Sequence, residues 1–504
     1  MSSITTYDDV VYGTRPRIVT HPDTLAVVAT LMGLQPTPVA KARVLELGCG
    51  TGGNLTPMAA LLPESRFLGT DLSPVQIAEA QRTVDALGLT NIEYRAESLV
   101  DWDESIGEFD YIICHGVYSW VPAFVREKIL SVCGRHLAPN GIAYISYNTL
   151  PGWHLRAPVR DMLNYHVKDS PDAAARIRGA RGLLQFLNIA VPDSAKTYGV
   201  VVKEEVAGWA DEPDYYLFHE HLESDNTPVY FHQFMAAAQA AGLQFVGEAG
   251  PVPRLDDLPP NIREAIEDLC TDLLQVEQYL DFLHGRRFRR TLLCRAGAAL
   301  ERAMSPSTLD GMYVSGAAKP ESDDPNMAPG IVEGFEAPGG KKARTGSTLF
   351  KAVVTKLWRE LPALIAVPDL TARIAAEFNS TTEVVRGPMT QMLVEGYLAG
   401  MLTLHTQPPG FVVAPSARPV GFPIARLFAK DRGILPSARH QEVRLEPFDR
   451  FVLGLLDGTR DLEALTAIVD AAVQAGTTPP LAEPTPAAVE ESLIRLGRSA
   501  VLIG

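Results

Sequence analysis

Val44-Leu-Glu-Leu-Gly-Cys-Gly-Thr-Gly-Gly-Asn-Leu55 decides the reading of this chain, because an apolar strand runs directly into a glycine-rich turn that opens a helix. Glycine is required at Gly48, Gly50 and Gly52 or Gly53, where the turn is tight and the backbone must approach a ligand at the strand's carboxyl end. The helix that follows offers free N–H groups to an anionic group such as a carboxylate or phosphate. Gly48-x-Gly50-x-x-Gly53 also fits the dinucleotide pattern G-x-G-x-x-G, a weak match when taken alone.

The acids around the turn discriminate between ligands. Glu46 lies on the strand itself, where a carboxylate repels a pyrophosphate and suits a ligand carrying an ammonium and a sulfonium. A second strand, Arg66-Phe-Leu-Gly-Thr-Asp71, ends in an acid about 20 residues beyond the turn, the position that hydrogen-bonds ribose hydroxyls. A third, Ile92-Glu-Tyr-Arg-Ala96, runs into Glu97-Ser98, and a fourth, Phe109-Asp-Tyr-Ile-Ile-Cys114, into His115-Gly116. Glu46-Leu-Gly-Cys-Gly-Thr-Gly52, Asp71, Glu97 and Phe109-Asp110 together resemble the class I S-adenosylmethionine-dependent methyltransferases. The resemblance implies S-adenosyl-L-methionine as cofactor, held by Tyr12, Glu46, Gly48, Gly50, Asn54, Asp71, Leu72, Glu97, Ser98 and His115. Glu46 either binds the methionine ammonium or braces the turn, Asn54 caps the helix or reaches the cofactor carboxylate, and His115 contacts a ligand or caps the next helix.

The resemblance narrows at His115-Gly-Val-Tyr-Ser-Trp-Val-Pro122 and Ser146-Tyr-Asn-Thr-Leu-Pro-Gly-Trp153, which are similar to the subfamily with a methyltransferase regulatory domain. That subfamily includes the rickettsial protein lysine methyltransferases. The similarity extends through Tyr216-Leu-Phe-His-Glu-His-Leu222, Glu277-Gln-Tyr-Leu-Asp-Phe282 and Phe288-Arg-Arg-Thr-Leu-Leu293, and more loosely to the C-terminus. It implies an α/β fold: a Rossmann-like seven-stranded sheet with helical insertions, followed by winged-helix-like C-terminal domains. It further implies N-methylation of lysine side chains on a protein or peptide substrate, and a homodimer. A small-molecule or natural-product methyltransferase and a non-catalytic S-adenosylmethionine-binding regulator are the alternatives.

A chain of 504 residues is expected to form two to four domains. Its 46% hydrophobic and 21% charged residues are those of a soluble globular protein. No apolar run reaches the roughly 20 residues that span a bilayer, and the N-terminal residues lack signal-peptide character, so a cytoplasmic location and no membrane partner are expected. Cysteines at 49, 114, 133, 270 and 294 form neither a disulfide framework nor a zinc-type pair, and are expected to be reduced and structural. A net charge of −15 argues against nucleic acid, whose phosphates need a basic surface.

Residues 1–40 read as an arm over the cofactor cleft, with a helix-like stretch from Asp23 to Gly33, and residues 41–300 as the methyltransferase domain. Strand five is expected at Gly141–Tyr147, a helix at Phe231–Ala241, strand six at Leu243–Glu248 and strand seven at Arg290–Arg295. An insertion, 151–228, is rich in helix formers from Ala157 to Leu187 and then carries the β-branched run Val200-Val-Val. A regulatory segment covers 215–300, with a helical pattern from Ile262 to Leu283. Residues 301–347 read as a linker or hairpin drawing on Gly311-Met-Tyr-Val-Ser, Ile331-Val-Glu-Gly-Phe and a Gly339-Gly340 turn. A winged-helix-like domain is expected at 348–420, its helices closed by strands at Met401–His405 and Phe411–Ala414, and another at 421–504.

Methyl transfer from a sulfonium is an in-line displacement, so the enzyme's main task is alignment at close approach. A lysine acceptor, with an ordinary pKa of about 10.4, costs about 4.6 kcal/mol to neutralise at pH 7. A desolvating aromatic channel lowers that pKa and attracts the residual cation. Tyr118, Trp120, Tyr147 and Trp153 lie just beyond strands four and five and are candidates for it, Trp120 and Tyr147 foremost, with core packing as the alternative for each. Asn148 is expected to accept from the amine or to form the turn before Thr-Leu-Pro-Gly. His219-Glu220-His221, read as extended, lacks the H-E-x-x-H helix geometry of a zinc site, so no metal is expected and His219 or Glu220 is assigned to the substrate side.

Overall fold

A computed structural model of the chain describes residues 10, 13–102, 105–302, 307–478 and 484–504. Seven strands form its central sheet: β1 (Arg43–Leu47), β2 (Arg66–Asp71), β3 (Ile92–Ala96), β4 (Phe109–Cys114), β5 (Leu137–Asn148), β6 (Leu243–Glu248) and β7 (Phe288–Arg295). Their order is β3-β2-β1-β4-β5-β7-β6. β1 pairs parallel with β2 and β4, β2 with β3, and β4 with β5, whereas β7 runs antiparallel between β5 and β6. This is the class I methyltransferase sheet.

Period-two alternation divides the strand residues between two cores. Val44, Tyr111, Ile113, Ile142 and Tyr144 pack on one face with the helices Pro22–Leu31, Leu55–Leu61 and Pro74–Leu87. Leu45, Leu47, Ile112, Ala143, Ile145 and Tyr147 face the other, under the helices Ala123–His136 and Phe231–Ala240. Local signals set the helix ends. Ser73 accepts from the Gln76 N–H, Pro74 begins the helix, and Gly88 ends it in a left-handed conformation.

The insertion folds as helices at Ala157–Val167, Ala173–Ala190 and Lys196–Trp209 around their own core. Val200-Val-Val is helical despite its β-branching, because Val202, Val206 and Trp209 share one buried helical face. His219-Glu220-His221 is not extended as expected: Phe218–Leu222 is a π-helical turn, pinned by Phe218 and Leu222 in that core and by His221 stacked on Trp209 at 3.6 Å. The single helical pattern expected from Ile262 to Leu283 divides at Cys270, giving Pro260–Leu269 and Leu273–His284, the second capped by Asp272.

Between 307 and 345 the chain is ordered. Glu333–Ala337 and Lys341–Thr345 form the hairpin across Gly339-Gly340, whereas Tyr313–Gly316 joins Leu402–His405 and Ile365–Ala366 in a separate sheet. The helices Thr348–Arg359, Val367–Glu377 and Thr382–Leu398 pack on that sheet, and Val27 and Leu31 of the N-terminal helix complete the core. Phe411–Ala414, expected as a strand, forms no ladder; Val412 N–H donates to the Leu502 carbonyl instead. The last unit combines the hairpin Ile434–Pro436/Glu442–Arg444 with the helices Pro447–Leu455, Leu462–Gln474 and Thr485–Arg498. Its core takes in Ala60, Leu61 and Leu87 from the helices beside the glycine turn. Among the described residues no helix is long and apolar enough to cross a membrane, and none of the cysteines is in a disulfide.

Candidate active site

The glycine turn leaves β1 at its carboxyl end. Gly48, Gly50 and Gly52 have φ of +74°, +53° and +73°, and a Cβ on Gly48 would lie 2.4 Å from Val117 Cγ2, so both backbone and space demand glycine there. Gly48 and Cys49 N–H both donate to the Thr70 carbonyl, which ties the turn to β2. Asp71 accepts from Gly50 N at 2.9 Å and from Ser73 N at 2.9 Å, so its half-buried carboxylate fixes the turn's shape as well as ending the strand. Leu72, 52% exposed, lies beside it, and Glu97 N–H donates to the Asp71 carbonyl. Ser98 caps the short helix Leu99–Asp101.

Glu46 is buried under the turn. Its Oε1 accepts from Asn54 Nδ2 at 2.7 Å, while its Oε2 is buried with no partner among the described residues. Burial, only partly countered by the Asn54 hydrogen bond and reinforced by the charge of Asp71, pushes its carboxyl up to about 8. An orphaned carboxylate oxygen beneath a glycine turn is the acceptor that the ammonium of S-adenosylmethionine needs, so the residues present fit this cofactor. Asn54 does not cap the helix that follows it. Its Oδ1 accepts from Arg17 N at 3.0 Å, Thr20 Oγ1 at 3.2 Å and His440 Nε2 at 2.8 Å.

The N-terminal arm crosses this site. Thr14 Oγ1 accepts from Gly53 N at 2.8 Å and lies 2.6 Å from Thr51 Oγ1. Tyr12, assigned to the cofactor from the sequence, lies outside the described residues. At the end of β4, His115 Nδ1 is 2.9 Å from Tyr144 Oη and 3.3 Å from Ser146 Oγ. Desolvation, with the charges of Arg17 and Arg290, lowers its pKa to about 3, so the imidazole is neutral.

The candidate acceptor-side residues separate into two groups. Tyr147 stacks on Phe234 at 4.1 Å, Tyr118 meets the same ring edge-on at 5.2 Å, and Tyr147 Oη is 3.0 Å from Thr291 Oγ1. Both tyrosines therefore pack in the core beneath Phe231–Ala240, and neither faces a cleft: Tyr147 follows Ala143 and Ile145 on the strand's inner face. Trp120 is half-buried and meets Trp153 edge-to-face at 6.3 Å, with the Arg156 guanidinium 5.1 Å from the Trp153 ring. Asn148 is buried, its backbone N–H donating to Ser119 Oγ at 2.8 Å and its Nδ2 without a partner among the described residues. His219 is buried between the Val10 carbonyl, 2.6 Å from Nε2, and Glu223, 3.1 Å from Nδ1, which gives it a role in holding the arm. Its neighbour Glu220 feels both Arg156 and Arg17, yet desolvation pushes its carboxyl up to about 7.

Sequence reasoning missed Thr14, Arg17, Arg156 and His440. Arg15-Pro-Arg17 beside the arm's tyrosine was a faint signal for Arg17; nothing local marked His440. Among the described residues no cluster of three or more His, Cys, Asp or Glu could hold a metal.

This sheet order, this turn and this orphaned carboxylate define a class I S-adenosylmethionine-dependent methyltransferase. Residues 44–141 match the family described as a methyltransferase domain, 213–295 the predicted methyltransferase regulatory domain, and 417–495 the PKMT C-terminal winged helix domain. RP789 of Rickettsia prowazekii is 35% identical across 93% of this chain and 86% of its own length, and the chain belongs to that protein's family. RP028 of the same organism is 41% identical over 46% of this chain. PKMT2 from Rickettsia typhi is similar in structure over 98% of this chain and all of its own, with 27% identity and a TM-score of 0.86; it is also known in complex with AdoHcy, where the TM-score is 0.85.

Proposed function

We propose that this methyltransferase transfers methyl groups to lysine side chains of a protein substrate. The observation that carries the proposal is the full-length similarity to PKMT2, which includes the segments appended to the catalytic sheet. A fold match limited to the sheet would say nothing of the acceptor. S-adenosylmethionine supplies an electrophilic methyl on a sulfonium. The chain's own residues have three tasks.

The first is to hold the cofactor, with Glu46 taking the ammonium, Asp71 the ribose, and Leu72, Glu97 and Ser98 bordering the base. The second is to receive a lysine. Trp120 and Trp153 offer π-faces beyond β4 and β5, and Asn148, the last residue of β5, whose Nδ2 has no partner among the described residues, accepts from the amine through its side-chain oxygen. The third is to remove the lysine's proton. Glu220, with a pKa of about 7 set by desolvation and the neighbouring arginines, accepts a proton near neutral pH. The dry surroundings of these groups lower the cost of presenting a neutral amine.

Two partner readings accompany this one. The insertion exposes the apolar side chains Tyr165 at 74%, Phe186 at 62% and Ile189 at 86%, which a second copy of the chain would cover in a homodimer. The net charge of −15 disfavours nucleic acid, so the winged-helix segment is assigned to docking protein. Incubation with cell extract and methyl-labelled cofactor, followed by separation of proteins from metabolites, tests the reading. Label in proteins is expected; label confined to small molecules would replace it with a metabolite methyltransferase.

A further inference from the structure

The hairpin of the C-terminal unit reaches the cofactor turn. Ile434–Pro436 pairs with Glu442–Arg444, and the residues between them form a tight loop in which Ser437 N donates to the Gln441 carbonyl and His440 N to the Ser437 carbonyl. His440 sits at the tip with φ of +56°, a left-handed conformation that disfavours a branched or bulky residue and is adopted here to aim the imidazole inward. The ring is 1% exposed, lies 5.1 Å from the His21 ring, and places Nε2 2.8 Å from Asn54 Oδ1.

The chemistry of that contact is determined. Arg17 contributes a backbone N–H to the same oxygen, so Asn54 Oδ1 is an acceptor and Asn54 Nδ2 is the group that donates to Glu46. His440 Nε2 must therefore carry a proton and donate it, leaving Nδ1 bare and without a partner among the described residues. With the Arg17 N–H, the His440 donor fixes the position of the Asn54 amide, which keeps Glu46 Oε1 occupied and leaves Oε2 to the ligand assigned there. The chain of contacts runs His440, Asn54, Glu46, cofactor.

Neighbouring contacts anchor the same hairpin on both sides. Arg439 Nη2 lies 3.4 Å from Ser315 Oγ in the middle unit, and Glu442 pairs with Arg15 of the arm at 3.1 Å. Below them Ala60, Leu61 and Leu87, on the helices beside the glycine turn and β2, pack into the C-terminal core. A shift of the C-terminal unit thus acts on the turn through both a polar and an apolar contact.

We infer that His440 is a positioning residue of the cofactor site, contributed by the C-terminal winged-helix unit, so that cofactor binding and the seating of that unit are thermodynamically coupled. By linkage the coupling is reciprocal: whatever seats the hairpin tightens cofactor binding, and cofactor binding seats the hairpin. The inference rests on the cofactor site and is independent of the acceptor's identity.

S-adenosylhomocysteine is the probe, titrated calorimetrically into the full-length protein. His440→Gly, which relieves the backbone and removes the donor, is expected to weaken binding about fivefold to tenfold, the size of one buried hydrogen bond. His440→Gln, whose Nε2 stands where the imidazole Nε2 stood, is expected to bind within about twofold of wild type. Hydrogen exchange across residues 434–444 is expected to slow when the probe saturates the wild-type protein. A merely structural role predicts instead that both variants lower the melting temperature of the ligand-free protein and weaken binding together. Wild-type affinity in His440→Gly, equal loss in the two variants, or exchange at 434–444 unmoved by the probe would each overturn the inference.

Discussion

Replacing Glu46 by glutamine tests the cofactor assignment through its proton. Burial holds the Glu46 carboxyl near a pKa of about 8, so at pH 7 most of the ligand-free protein carries it protonated. An ammonium placed against Oε2 requires the ionised form, and ionising it at pH 7 costs about 1.4 kcal/mol, one pKa unit. A charge-assisted hydrogen bond contributes about 1.5–3 kcal/mol, so the pair is favourable at neutral pH by a small margin that grows as pH rises. Binding of S-adenosylhomocysteine should therefore release about 0.5 to 0.9 proton at pH 7, more the stronger the pair. Its Kd should fall about threefold to fifteenfold between pH 6.0 and 7.5, as the ionised fraction of the ligand-free carboxyl rises from about 1% to about 24% while a pair of that strength leaves the bound carboxyl partly protonated at the lower pH. In Glu46→Gln both the proton release and this pH dependence should vanish, while affinity at pH 7.5 falls by up to tenfold. Calorimetry in buffers of different ionisation enthalpy measures the proton count directly. A wild-type Kd flat over this range, or a Glu46→Gln variant that still releases the proton, would refute the reasoning.

Other residues make distinct predictions. Asp71→Ala removes the acceptor we assign to the ribose and the brace to Gly50 N, and should weaken cofactor binding by about 1.5–3 kcal/mol in the same titration. Tyr147→Phe removes only a hydroxyl from a core-packed ring and should leave kcat and KM for the protein substrate within about twofold, whereas Trp120→Ala should lower kcat/KM with cofactor affinity intact. Arg289 is buried among Glu248, Asp281 and Glu277 and lies over the Phe231 ring; Arg289→Met strands buried carboxylates and should cost the catalytic unit about 3–5 kcal/mol in thermal or urea unfolding. Ile189→Asp with Phe186→Asp should yield a monomer by sedimentation, without change in cofactor affinity.

The sheet was legible because its signals are local. Each strand of the first half is a short apolar run with its candidate site residue at or next to its carboxyl end, and glycines at positive φ mark the turn. The core packing of Tyr147, one of its two readings from the sequence, follows from alternation: a residue two positions from Ile145 on a two-faced strand shares its core face. The Phe218–Leu222 turn was not legible, since its conformation follows from stacking of His221 on Trp209, a tertiary contact that no spacing rule encodes. Phe411–Ala414 reads as a strand by composition, but it joins no ladder, and its Val412 N–H goes to the Leu502 carbonyl, a long-range contact that composition does not encode. His440 was beyond reach for a related reason. It meets Asn54 across 386 residues of chain, and a histidine at a hairpin tip has no pattern of its own.

The acceptor is the central claim, and mass spectrometry of the methylated product tests it most directly. Proteins from an extract treated with the enzyme and isotope-labelled S-adenosylmethionine are digested and their modified residues assigned. The account predicts labelled methyl groups on lysine Nζ, abolished by Glu46→Ala with Asp71→Ala. Labelled methyl on other side chains, or on metabolites with unlabelled protein, would contradict it.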